Sequence, residues 1–105
     1  MQLTANETIF LLWAVGAFIA VFAFIGRDNV GQDADINTRG FAVNALLNSD
    51  NSFCDGWVDV GANAAFSSQA AASDTTYYTT DKIHLTNVGY DLVATLSEPT
   101  VRGLI

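Results

Sequence analysis

Asp81-Lys82-Ile83-His84-Leu85-Thr86-Asn87-Val88-Gly89-Tyr90 is the stretch on which the reading of this chain turns. It holds the one histidine, three residues after an aspartate. From there on, Leu85, Val88, Leu92, Val93 and Leu96 follow the period of an amphipathic helix. Thr86 is placed to cap that helix and Pro99 to end it, leaving Val101, Leu104 and Ile105 as an apolar tail. A carboxylate and an imidazole are thus delivered together on the turn into a helix, the layout in which an acid can orient a base.

Upstream, Trp57-Val58-Asp59-Val60 has the alternation of a short strand and is stopped by Gly61. Residues 62–80, rich in Ser, Ala and Thr, read as loop with room for one helical turn. Tyr77 and Tyr78 within it read as a surface cluster or as the lining of a cleft. Residues 38–47 predict a short helix, with Thr38 as cap and Phe41, Ala42, Ala45 and Leu46 on one side. Residues 28–37 read as a polar loop, and 48–55 as a polar turn enclosing Phe53 and Cys54.

Residues 9–26 contain no charged or strongly polar side chain, and Glu7 and Arg27 bracket them. Two readings stay open. As one helix the stretch reaches roughly 27 Å, enough for a single span of a thin bilayer. Alternatively a helix over about 6–15 closes at Gly16, and residues 18–25 form a buried parallel strand. The first is favoured by the all-round apolarity of residues 9–15, since a helix covering a sheet keeps a wet face. Either way, residues 1–26 are expected to meet lipid or other protein subunits. The preceding residues 1–8 lack the positive charge of a secretory signal.

A chain of 105 residues forms at most one small domain. Four basic residues against 11 acidic ones give a net charge of −7, with no basic cluster, which argues against nucleic acid as a partner. Cys54 is the one cysteine, so no intrachain disulfide and no cysteine-based zinc site is expected; a small buried side chain is the ordinary role for it. One histidine and scattered carboxylates make no metal-ligand set, and Asp28, Asp33 and Asp35 lack the glycine and glutamate spacing of a calcium loop. No cofactor is implied. Trp13 and Trp57 read as membrane or packing residues.

The Asp-x-x-His of Asp81 and His84, followed by Leu-Thr-x-x-Gly-Tyr and preceded by the Val-Asp-Val strand, resembles the C-terminal motif of the SGNH (GDSL-type) esterases and lipases. The resemblance covers residues 27–105 and extends towards Gly16. It implies an α/β fold, a partial flavodoxin-like segment, preceded by the hydrophobic helix or helix-strand of residues 1–26. It also implies roles. Asp81 would orient His84, which would take the proton of a serine attacking an ester carbonyl.

A complete SGNH fold needs a chain roughly twice as long, and the remaining family parts are missing here. No Gly-Asp-Ser-Leu nucleophile block is present, and Ser49, Ser52, Ser67, Ser68, Ser73 and Ser97 do not follow a buried strand as a nucleophile elbow does. Gly26-Arg27-Asp28-Asn29 is similar to the family's Gly-x-Asn-Asp oxyanion block with its last two residues reversed, so Asn29 is given no role.

The expected function is therefore a catalytically incomplete SGNH-like accessory subunit attached to a membrane or larger assembly through residues 9–26. One alternative is an ester hydrolase using Asp81 and His84 with a serine from another chain. Another is a virion or tail component. In the plain structural reading, the His84 imidazole caps the loop before the final helix and Asp81 is a turn or capping residue.

Overall fold

Strand β1 (Ala20–Phe22) lies parallel to strand β2 (Gly56–Val58), in the register Ala20↔Gly56, Val21↔Trp57, Phe22↔Val58. The computed structural model describes residues 4–7, 20–28 and 35–104. Parallel strands need a crossover, and the connection between these two contains helix α1 (Ile36–Ser49). Two 3-10 turns, Val60–Ala62 and Ala70–Ser73, then lead to helix α2 (Asn87–Arg102). The chain is mixed α/β, built on a small parallel sheet.

For the apolar N-terminal stretch, the strand half of the split reading is what forms. Residues 20–22 pair with β2, and Ala23 N–H donates to Val58 O (2.9 Å). A single helix over residues 9–26 is therefore not formed at its C-terminal end. Residues 5–7 are helical, and Thr4 and Glu7 make a reciprocal cap in which Glu7 N–H donates to Thr4 Oγ1 (3.2 Å) and Thr4 N–H to the Glu7 carboxylate (3.4 Å). The rest of the expected helix, with Trp13, lies outside the described residues. Among those described, no helix is long and apolar enough to cross a membrane.

The core has two connected parts. Ala23, Val58 and Val60 form one at the sheet; Phe66, Ala72, Tyr78 and Leu85 form the other beneath the loops. Ile25, Val93 and Leu96 pack against both, so α2 joins sheet and loop region into one apolar unit. Tyr78 is fully buried and Tyr77 half-buried, each edge-on to the Phe66 ring, which corrects the surface-cluster reading of the pair.

Helix α1 departs most from its sequence pattern. It runs beyond the expected 38–47, Asp35 occupies the N-cap position, and Thr38 lies inside the first turn. Its buried residues are Asn37 and Asn44, whereas Ala42 and Ala45 are exposed and Leu46 is 70% exposed. The physical reason is hydrogen bonding. Asn44 Nδ2 donates to Phe24 O (2.8 Å) while its Oδ1 accepts from Phe24 N–H (2.7 Å). Asn37 does the same for Arg27, with Nδ2 donating to the carbonyl (2.7 Å) and Oδ1 accepting from the N–H (2.9 Å). Buried polar groups that are fully paired can take the inner face of a helix.

Helix α2 starts as expected, with Thr86 Oγ1 accepting from Gly89 N–H (3.1 Å). It does not end at Pro99, however. Burial of Val101 and the Arg102–Glu98 pair (2.6 Å) hold a last turn beyond it, and the missing proline N–H forfeits one hydrogen bond. Val88 is exposed and so does not belong to the buried stripe, while Ser97 does. The expected strand at residues 57–60 is Gly56–Val58, because Val60 already begins a 3-10 turn. Cys54 is half-buried, its thiol donating to Asn51 O (3.3 Å).

Candidate functional site

The Asp81–His84 turn is held at its base by an antiparallel bridge between Tyr78 and Leu85. Thr79 N–H donates to His84 O (2.8 Å) and Thr86 N–H to Tyr77 O (2.9 Å), so the chain returns on itself just before α2 begins. Lys82 makes the sharp reversal with φ 60°, in the left-handed region that non-glycine residues rarely enter. Its N–H closes the turn on Thr79 O (3.0 Å).

Asp81 divides its two oxygens between two jobs. Oδ1 accepts from the Thr79 hydroxyl (2.6 Å), Ile83 N–H (2.9 Å) and His84 N–H (2.9 Å), which shapes the turn. Oδ2 meets His84 Nδ1. One oxygen thus shapes the turn and the other contacts the imidazole. The His84 ring beside it, then the Thr79 hydroxyl and the two backbone N–H groups, hold the Asp81 carboxyl well below the usual carboxylate range. An ionised carboxylate only accepts, so Nδ1 carries the proton in this contact. The other ring nitrogen, Nε2, is then the one available for proton transfer.

The His84 side chain is 70% exposed and that of Asp81 44%. His84 contributes to the turn both through its backbone, whose N–H and carbonyl bond Asp81 and Thr79, and through Nδ1 on Asp81. The ring touches the loop at its Nδ1 edge, where it meets Asp81, and is otherwise open to an incoming group.

The chain leaving β1 docks on this turn. Asp28 N–H donates to Lys82 O (3.0 Å), and the Asp28 carboxylate meets both Lys82 Nζ (3.6 Å) and Gln69 Nε2 (3.0 Å). Two residues earlier, Gly26 N–H donates to Phe66 O (2.7 Å) and Gly26 O accepts from the Tyr78 hydroxyl (2.6 Å). Burial pushes the Tyr78 phenol up to about 12, against a smaller opposing effect of the Arg27 charge. Arg27 itself lies over the Phe24 ring at 5.1 Å.

Sequence reasoning brought Asp81 and His84 together correctly but missed Thr79, Asp28, Gln69 and Lys82. Thr79 had a local signal, a hydroxyl two residues before a turn aspartate; Asp28, 54 positions from Lys82, had none. Asn29 and Asp33 lie outside the described residues.

Among the described residues, no serine hydroxyl hydrogen-bonds His84. Ser97 donates to Val93 O (2.5 Å), Ser49 to Ala45 O (3.1 Å) and Ser52 to Asp50 (2.8 Å), while Ser68 accepts from Ala71 N–H (3.1 Å). No group of three or more His, Cys, Asp or Glu able to hold a metal occurs among the described residues either. The site is an oriented acid-base pair at a surface turn. Comparison with known proteins finds no matching family model, no matching curated protein and no matching solved structure.

Proposed function

We propose that this chain is the base-bearing part of an SGNH-type acyl hydrolase, catalytically incomplete by itself and completed by a serine from another polypeptide. One observation carries the reading: Asp81 holds the Nδ1 edge of His84 and leaves the rest of the ring in the open. The family resemblance of residues 81–90 supplies the reaction class, and the parallel strand–helix–strand order with a final helix is compatible with it. In that reaction Nε2 takes the serine proton as the hydroxyl attacks an ester carbonyl, and returns it to the departing alcohol. Asp81 offsets the charge that forms on the imidazole meanwhile. Of the apolar residues 9–26, those preceding β1 are assigned to attachment, either to partner subunits or to a membrane, since residues 20–26 are engaged in the sheet and core.

A second reading, an accessory subunit in which the pair no longer acts, is favoured by the turn role of Asp81, whose Oδ1 accepts from Thr79 and two backbone N–H groups without any chemistry at His84. Hydrolysis of p-nitrophenyl acetate tests the first part. The isolated chain is expected to turn it over no faster than free imidazole at equal concentration. His84-dependent turnover well above that level would overturn the incompleteness. In the native assembly, a fluorophosphonate probe is expected to label a serine on another polypeptide, and His84→Ala to abolish the labelling. Failure of any His84-dependent labelling there leaves the accessory reading.

A further inference from the structure

Helix α1 and the chain leaving β1 match each other in length. Arg27 and Phe24 are three residues apart, roughly 10 Å along a near-extended chain. Asn37 and Asn44 are seven apart, roughly 10.5 Å along a helix and on the same face. Each carboxamide satisfies both backbone groups of one residue, as a neighbouring strand would. The earlier asparagine takes the later residue, so helix and segment run in opposite directions. Gly40 lies between the two and makes room for the Phe24 ring, since a Cβ there would come within 2.3 Å of it. The helix therefore serves as a rail for residues 24–27.

The residue just past the rail is Asp28, whose N–H and carboxylate both engage Lys82, between Asp81 and His84. From the other side, Gly26 is held by Phe66 and Tyr78. The turn reaches the body of the fold through these contacts and through the Tyr78–Leu85 bridge. We infer that Asn37 and Asn44 are positioning residues for the Asp81–His84 pair, acting through residues 24–28 and the Asp28–Lys82 contact. Calling the pair a proton-transfer device rests on the reading above; the coupling of helix to turn does not.

The test uses the full chain and nuclear magnetic resonance. Hydrogen exchange at the Asp28 amide reads its bond to Lys82 O, and the ring-nitrogen shifts of His84 read which nitrogen carries the proton. Asn37→Ala is expected to speed Asp28 exchange roughly tenfold, the effect of losing about one net hydrogen bond, and to shift His84 from the Nδ1–H form towards a mixture.

Asn37→Asp keeps the acceptor for Arg27 N–H but sets a carboxylate oxygen against Arg27 O, while the positive end of α1 favours the new charge, so it should stay folded and speed Asp28 exchange at least as much as Asn37→Ala. Asn48→Ala removes an α1 hydrogen bond to Trp57 Nε1 (2.5 Å) that lies off the rail, and should change neither signal. If Asp28 exchange and the His84 signal are unchanged in folded Asn37→Ala and Asn37→Asp, the asparagines only fasten the helix and the inference is wrong. It is equally wrong if Asn48→Ala shifts both signals as much. Neither readout involves ester cleavage or a second polypeptide, so a missing hydrolase activity would leave this result untouched.

Discussion

Asp81 grips His84 at Nδ1 with one carboxylate oxygen while its other oxygen is saturated by the turn. Among the described residues the first oxygen has no other hydrogen-bond partner, and the second cannot rotate away without breaking three hydrogen bonds. This arrangement fixes the direction of the imidazole without burying it, so its orientation survives at a wet surface.

The same geometry predicts an acid limb in stability. Because the folded Asp81 carboxyl lies below its ordinary value, folding favours its ionised form. Its contribution is complete above roughly pH 4, the unfolded value, and is lost as pH falls towards the depressed folded value. The difference in thermal midpoint between wild type and Asp81→Asn should therefore narrow below about pH 4. In His84→Ala the largest cause of the depression is gone, and carbon NMR titration should find the Asp81 carboxyl closer to an ordinary aspartate. An Asp81 titration identical in wild type and His84→Ala would contradict the contact.

Gly61 is the second element of the Asn44 clamp. A Cβ at this buried position would meet Phe24 O at 2.2 Å and Asn44 Nδ2 at 2.8 Å, both members of one hydrogen bond. Gly61→Ala should cost about 1–3 kcal/mol, read from the urea midpoint, since the bond must open or the backbone shift. Gly103→Ala makes the matched control. Its φ of −66° suits any residue and its nearest neighbour stands at 3.4 Å, so stability should hold or rise by about 0.5 kcal/mol. Equal losses at the two glycines would contradict the close approach at Gly61.

Tyr78→Phe removes the hydroxyl that donates to the carbonyl of buried Gly26. With the acceptor left unpaired in the core, the loss at neutral pH should be about 1–3 kcal/mol. The alkaline limb supplies a sign. Because the phenol is raised to about 12 in the fold, its contribution is complete below the unfolded value of roughly 10 and is lost as pH rises through 12. Wild type should therefore weaken between those limits more than Tyr78→Phe, and their urea midpoints should converge. Parallel curves would mean that Tyr78 does not titrate against the fold.

These sites divide by the range of the interactions that make them. The contacts within the Asp81–His84 turn, the Thr86 cap, the periodic Leu92, Val93 and Leu96, and the strand core at Trp57-Val58 involve neighbours within a few positions, and the sequence displays them; the docking of that turn on Asp28 is long-range and is not displayed there. The strand at residues 20–22 was one of two open readings because its pairing with residues 56–58 is long-range. Helix α1 misled for a different reason. Its apolar side is not its inner side, because Asn37 and Asn44 have backbone partners that do not appear in any local pattern. The available trace was the seven-residue repeat of asparagine with Gly40 inside it, a narrow polar face along a helix otherwise rich in Ala, Val and Leu.

Lys82 provides the sharpest separation of opposing effects. Its left-handed conformation costs a non-glycine residue roughly 1–2 kcal/mol. Its ammonium, partly exposed and 3.6 Å from the Asp28 carboxylate, returns at most about 1 kcal/mol. Lys82→Gly relieves the first and forfeits the second, so its stability should equal or slightly exceed wild type. Lys82→Ala keeps the strain and loses the pair, so it should be the least stable of the three, by up to about 1 kcal/mol relative to wild type. High salt should close the gap between wild type and Lys82→Ala by screening the pair, and leave the advantage of glycine intact. In all three, the Lys82 carbonyl still accepts from Asp28 N–H, so the turn stays docked and His84 keeps its tautomer. Thermal melts of the series at low and high salt check the order, and a glycine variant less stable than the alanine one would refute it.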